Sequence, residues 1–182
     1  SVGQIKMHTS TVVGSVIAFD TTNEISGVEL LSISSSGANT IFDNCKAITG
    51  CTVTSCSSTA GAFKVAFQSE NISDLYITGG GSASALYMFH LTDNISNCKI
   101  ENISINANLE IFYQCNEITG CTISNVDTTA GTALYFGGCV AISNCTISGS
   151  SGSSSTRGLV DCDTISGVNI SALASTASYC YA

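Results

Sequence analysis

Isoleucine returns along this chain at Ile25, Ile48, Ile72, Ile95, Ile118, Ile142 and Ile165, in steps of 23, 24, 23, 23, 24 and 23 residues. A fixed period of that length is the mark of a repeat architecture. A unit this short cannot enclose its own apolar face, so the face must be covered by the neighbouring copies. One further step back reaches Val2, which predicts about eight coils.

Around each isoleucine the chain reads I-x-[GND]-[CVL]-x-[IVL], as in Ile48-Thr-Gly-Cys-Thr-Val53 and Ile142-Ser-Asn-Cys-Thr-Ile147. The third position is always Gly, Asn or Asp, the types that adopt positive φ at least cost, which predicts a bend. The apolar–polar–apolar alternation after it predicts a short strand with one buried face. A second anchor precedes each motif: Phe19, Phe42, Phe67, Phe89, Phe112, Phe136 and Leu159. No Pro is present, and no helical period runs through any window. The prediction is an all-β, right-handed parallel β-helix of 23–24-residue coils. It forms a single domain over 1–182, excised from a longer chain because both ends stop within the repeat. With coils stacked at the interstrand spacing, the rod is roughly 40 Å long.

Charged residues make up 10% of the chain and the net charge is −8. Five basic residues make no patch, so neither nucleic acid nor an anionic membrane is expected as a partner. No apolar run approaches about 18 residues, so no membrane insertion is expected. Eight of the ten cysteines fall in two repeat columns: Cys51, Cys98, Cys121 and Cys145 share a slot with Val28 and Leu75, while Cys45, Cys115, Cys139 and Cys162 share one with Thr22 and Ser69. A slot that also takes Val is a core slot, so these cysteines are expected to be buried free thiols stacked in ladders. Such thiols suit assembly in a reducing cytoplasm or an anaerobic host. The C-x5-C spacing does not match a zinc site, and no metal or cofactor is expected.

Function is expected on the outward columns, since packing dictates the inward ones. The position after the Phe anchor reads Asp20, Asp43, Gln68, His90, Tyr113, Gly137 and Val160; two before it stand Ile17, Thr40, Val65, Tyr87, Glu110, Leu134 and Arg157. From these, Asp43, Gln68, Tyr87, His90, Glu110 and Tyr113 form the candidate site: flat rings that stack on sugar faces, and acids that accept from hydroxyls. Asp20 and Asp43, one coil apart, are the weak candidates for a catalytic carboxyl pair.

The I-[ST]-[GND]-C-[TK]-[IV] repeats make the whole chain resemble the right-handed parallel β-helix of the pectin-lyase-like superfamily. The N-T-D, G-H-G and R-I-K motifs of its polygalacturonase-like members are absent, and Arg157 is the only Arg, so the resemblance carries over no active site. With its low charge and Ser/Thr/Gly-rich coils, the chain is most similar to tail-spike or tail-fibre segments of bacteriophages. That resemblance implies a homotrimer in the virion tail, assembled in the host cytoplasm, that binds bacterial surface polysaccharide. The alternatives are a polysaccharide-degrading enzyme of the same fold and a bacterial cell-surface adhesin or spacer.

Overall fold

The computed structural model describes residues 2–3, 5–82, 84–152, 155–175 and 178–179. Among these, every helix or strand is a β-strand. The chain is a parallel β-solenoid of about seven turns, where the repeat count led to an expectation of eight. The isoleucine-bearing sheet has eight strands, from Val2–Gly3 to Thr164–Ser166. Eight strands enclose seven intervals, so Val2 starts the first turn and does not add one.

Three sheets run along the solenoid, and three columns of positive-φ residues separate them. The first column runs through Thr21, Asn44, Gln68, Leu91, Gln114, Gly138 and Asp161, with φ between 49° and 61°. The second holds Gly27, Gly50, Asp74, Asn97, Gly120, Asn144 and Gly167, and the third includes Ser32, Ser55, Gly79, Asn102, Asn125 and Gly149. The sequence motif predicts the second column directly. The first is occupied largely by residues that seldom adopt this conformation, Leu91 among them. There the ladders on either side impose the bend: the Leu91 N–H donates to the Tyr113 carbonyl of the next coil, and the Gln68 N–H to that of His90.

The isoleucines pair residue for residue from Ile25 to Ile165. All are buried except Ile165, which is half-buried. Burying each such side chain contributes about 1.5–3 kcal/mol. The second sheet carries the aromatic column: Phe19 stacks on Phe42 with centroids 5.6 Å apart, and Phe89, Phe112 and Phe136 follow at 5.0 Å. That spacing is close to the interstrand distance, so within each of these two runs a ring rests on the equivalent ring of the next coil.

Phe67 does not belong to this column. The ladder pairs Ala66 with Phe42 and with Phe89, so Ala66 fills the inner slot and Phe67 faces outward. The extra residue of that 24-residue coil lies before the strand Phe63–Phe67, not after it. In both longer coils the insertion falls on a Thr-Ala-Gly corner, at Thr59-Ala60-Gly61 and Thr129-Ala130-Gly131. The Ser58 and Thr128 hydroxyls donate to the Gly61 and Gly131 carbonyls and close the corner.

The cysteines of the described residues are free and buried. Each thiol donates to the carbonyl two residues earlier, across the bend: Cys51 to Thr49, Cys98 to Ser96, Cys115 to Tyr113 and Cys145 to Ser143. Ser69 and Thr92 donate in the same way to Phe67 and His90. In the column of Cys45, Cys115, Cys139 and Cys162 the slot therefore takes a small side chain with a donor, which explains the exchange with Ser and Thr there.

Candidate functional site

The outward face of the phenylalanine sheet carries two columns. They are found by counting back five and eight residues from each repeated isoleucine. The first runs Asp20, Asp43, Phe67, His90, Tyr113, Gly137 and Val160, and the second runs Thr40, Lys64, Tyr87, Glu110, Leu134 and Arg157, as the strand register shows. Of the sequence-predicted residues, Asp43, Tyr87, His90, Glu110 and Tyr113 do share this face. Gln68 does not, because it occupies an exposed bend. Phe67 takes its place in the strip, and Lys64, not Val65, takes the flanking position. Indexing by the isoleucines instead of the Phe anchors would have found both.

Four rings make a continuous cluster. The centroid of His90 is 5.6 Å from Phe67, 5.5 Å from Tyr87 and 4.8 Å from Tyr113. The Lys64 ammonium sits 3.9 Å from the Phe67 centroid and closes one end by a cation–π contact. At the other end the column reaches Gly137, which contributes no side chain. A Cβ there would lie 2.7 Å from Leu134 Cδ2 and 3.1 Å from Tyr113 Cδ2. Leu134 leans into the space that a side chain at Gly137 would take, and the backbone φ of Gly137 lies outside the left-handed region.

His90 is the centre of this cluster but a poor direct ligand. Both ring nitrogens are covered and make no hydrogen bond. Its Nε2 is 3.8 Å from Glu110 Oε2, yet neither group is driven toward its charged form. Burial, followed by the Lys64 charge, holds the imidazole below its ordinary 6.5, and burial lifts the Glu110 carboxyl above 4.5. At 20% and 30% side-chain exposure, desolvation outweighs an attraction across that distance. His90 therefore acts as a neutral spacer between rings.

Asp20 and Asp43 are ladder partners on adjacent coils. Burial and then the Asp20 charge raise the Asp43 carboxyl, while Lys64 draws it back. Their hydrogen bonds are local: Thr21 Oγ1 donates to Asp20 at 2.8 Å and Asn44 Nδ2 to Asp43 at 3.3 Å. This is a like-charge pair at one strand spacing.

Beyond Tyr113 the face opens into a groove of about 140 Å³, lined by Glu110, Leu134, Arg157, Thr132 and Asn108 among others. Leu134 and Arg157 stand in the outward column already legible in the sequence. Only the folded register, which sets them beside Glu110, marks them as part of a concavity. Among the described residues, no group of three or more His, Cys, Asp or Glu is placed to hold a metal ion. No protein-family model matches the chain, and no curated protein and no solved structure gives a significant match.

Proposed function

We propose that this solenoid is a structural and receptor-binding segment of the phage tail-spike type, with the outward face of its phenylalanine sheet binding bacterial surface polysaccharide. One observation carries the proposal: an aromatic cluster and a groove share one sheet face and meet at Glu110, which lines the groove and lies beside His90. Tyr87 and Tyr113 are partly exposed, with hydroxyls that bond to no described residue, so each offers an apolar body and a free polar tip. Glu110 supplies an acceptor at the groove wall. The pectin-lyase-like architecture, the homotrimer and the virion-tail location belong to the same proposal and rest on the resemblance of the repeats.

The test is binding of the purified chain to capsule and cell-wall glycans by isothermal titration calorimetry. Tyr113→Ala and Tyr87→Ala should each weaken binding about 10-fold, the loss of one aromatic contact of roughly 1–1.5 kcal/mol. Unchanged affinity in both variants would remove this face as the site. The same samples assayed for new reducing ends separate binding from degradation. If ends appear, Asp20 and Asp43 are the pair to replace.

A further inference from the structure

We infer that the groove beyond Tyr113 is a subsite for a carboxylate-bearing sugar, with Arg157 reading the carboxylate. This rests on the glycan-binding face proposed above and names the chemical class it takes. Glu110, Leu134 and Arg157 are successive register partners on three adjacent strands. At the interstrand spacing, the acid and the guanidinium are carried by backbone positions roughly 10 Å apart, with the leucine between them. That span fits one pyranose ring with a substituent at each end.

Arg157 is exposed and makes no ion pair with any described carboxylate. It is the only Arg of a chain with net charge −8, so its free planar fork is a local exception on an acidic molecule. A guanidinium pairs with a carboxylate through two parallel N–H···O bonds, geometry that a hydroxyl cannot reproduce. Leu134, which lines the groove between them, offers methyl groups to the apolar face of a ring.

The far wall sets orientation. A ligand carboxylate turned toward Glu110 would meet a half-buried acid, whereas a hydroxyl there would donate to it. Asp43 and Asp20 lie further along the same face and repel an anion from that end. The acid group of the sugar therefore points to Arg157 and its hydroxyl edge to Glu110. Along the near edge, Asn108 Oδ1 already accepts the Thr132 N–H at 3.0 Å, which leaves the Asn108 amide N–H₂ to donate to ring substituents.

The probes are oligosaccharides of galacturonate, of mannuronate–guluronate and of glucuronate–N-acetylglucosamine, and N-acetylneuraminyl-lactose. Each is compared with its carboxyl-reduced counterpart against the intact chain. At least one acidic member should bind 10-fold or more tightly than its reduced form. Arg157→Gln should bring that member down to the affinity of the reduced form, while Tyr113→Ala should weaken both forms alike. Equal affinity for acidic and reduced forms, or a preference that survives Arg157→Gln, overturns the carboxylate subsite and leaves the glycan face standing. Absence of binding to every member, acidic and reduced, overturns both.

Discussion

At the scale of single residues, His90 shows how a column position can oppose the chemistry of its occupant. Two covered nitrogens without partners cost about 1–3 kcal/mol relative to a ring with no polar atoms. The groups packed around the imidazole are Phe67, Tyr87, Tyr113, Lys64 and Glu110. Its folded pKa lies below 6.5, so in the window just under 6.5 the unfolded chain binds more protons than the folded one. Stability contributed by this site therefore falls as pH drops through that window. Glu110 and Asp43, both raised, act with the opposite sign: their burial penalty is present above their raised values and disappears as they protonate. His90→Phe isolates the histidine term. The variant should be about 1–2 kcal/mol more stable at pH 7.5, with a larger advantage at pH 5.5. Guanidinium midpoints of both proteins at the two pH values measure this, and an advantage that shrinks on acidification would mean Glu110 compensates the imidazolium.

At the scale of the coil, both insertions are closed to any side chain at their glycine. An added Cβ on Gly131 would lie 2.2 Å from the Ala107 carbonyl oxygen, and one on Gly61 would lie 2.5 Å from the Ala38 nitrogen. Both obstacles are backbone of the preceding coil, which cannot rotate away. Gly50 presents the contrasting case, with open space around its Cβ but φ at +61°. Gly131→Ala should therefore cost about 3 kcal/mol through overpacking, and Gly50→Ala about 1 kcal/mol through its left-handed backbone. Thermal melts of the two variants decide the order, and the reverse order would place the corner elsewhere. The contrast also shows what could be read before any coordinates. The stacking of Ile25 through Ile165 and the bend at Gly27, Gly50 and Asp74 were legible because apolar period and turn-forming residue types coincide there. The bend through Thr21, Gln68 and Leu91 was not, since the ladders on either side enforce it on residues with no turn preference. Phe67 misled for a related reason: a large apolar residue suggests the core, but the extra residue before its strand turns it outward. The groove was hidden because Leu134 and Arg157 belong to a variable column, and only the folded register sets them beside Glu110.

At the scale of the whole molecule, each coil touches only its neighbours, so stability is a chain of nearest-neighbour terms and the ends open most easily. The cysteines report this gradient because they line the core along the rod. Cys115, Cys121, Cys139 and Cys145 are at most 1% exposed, while Cys162, near the last described coil, is 8% exposed. The hydrogen bond with Cys115, followed by burial, pushes the Cys139 thiol up to about 12 against the pull of Cys162. At Cys121 the hydrogen bond with Cys145 pulls the pKa down, but the bond with Cys98 and burial outweigh it and leave the thiol at about 12. Thiols held this far up, Cys162 among them, are scarcely ionised in place at pH 8, so alkylation must wait for a coil to open. Timed iodoacetamide labelling at pH 8, read by peptide mass spectrometry, should modify Cys162 well before Cys115, Cys121 and Cys139; Cys180 lies outside the described residues. Fraying from the ends spreads the labelling times coil by coil. Equal rates at all buried cysteines would instead mean that the rod opens all at once, with coupling between coils strong enough to make the solenoid one cooperative unit.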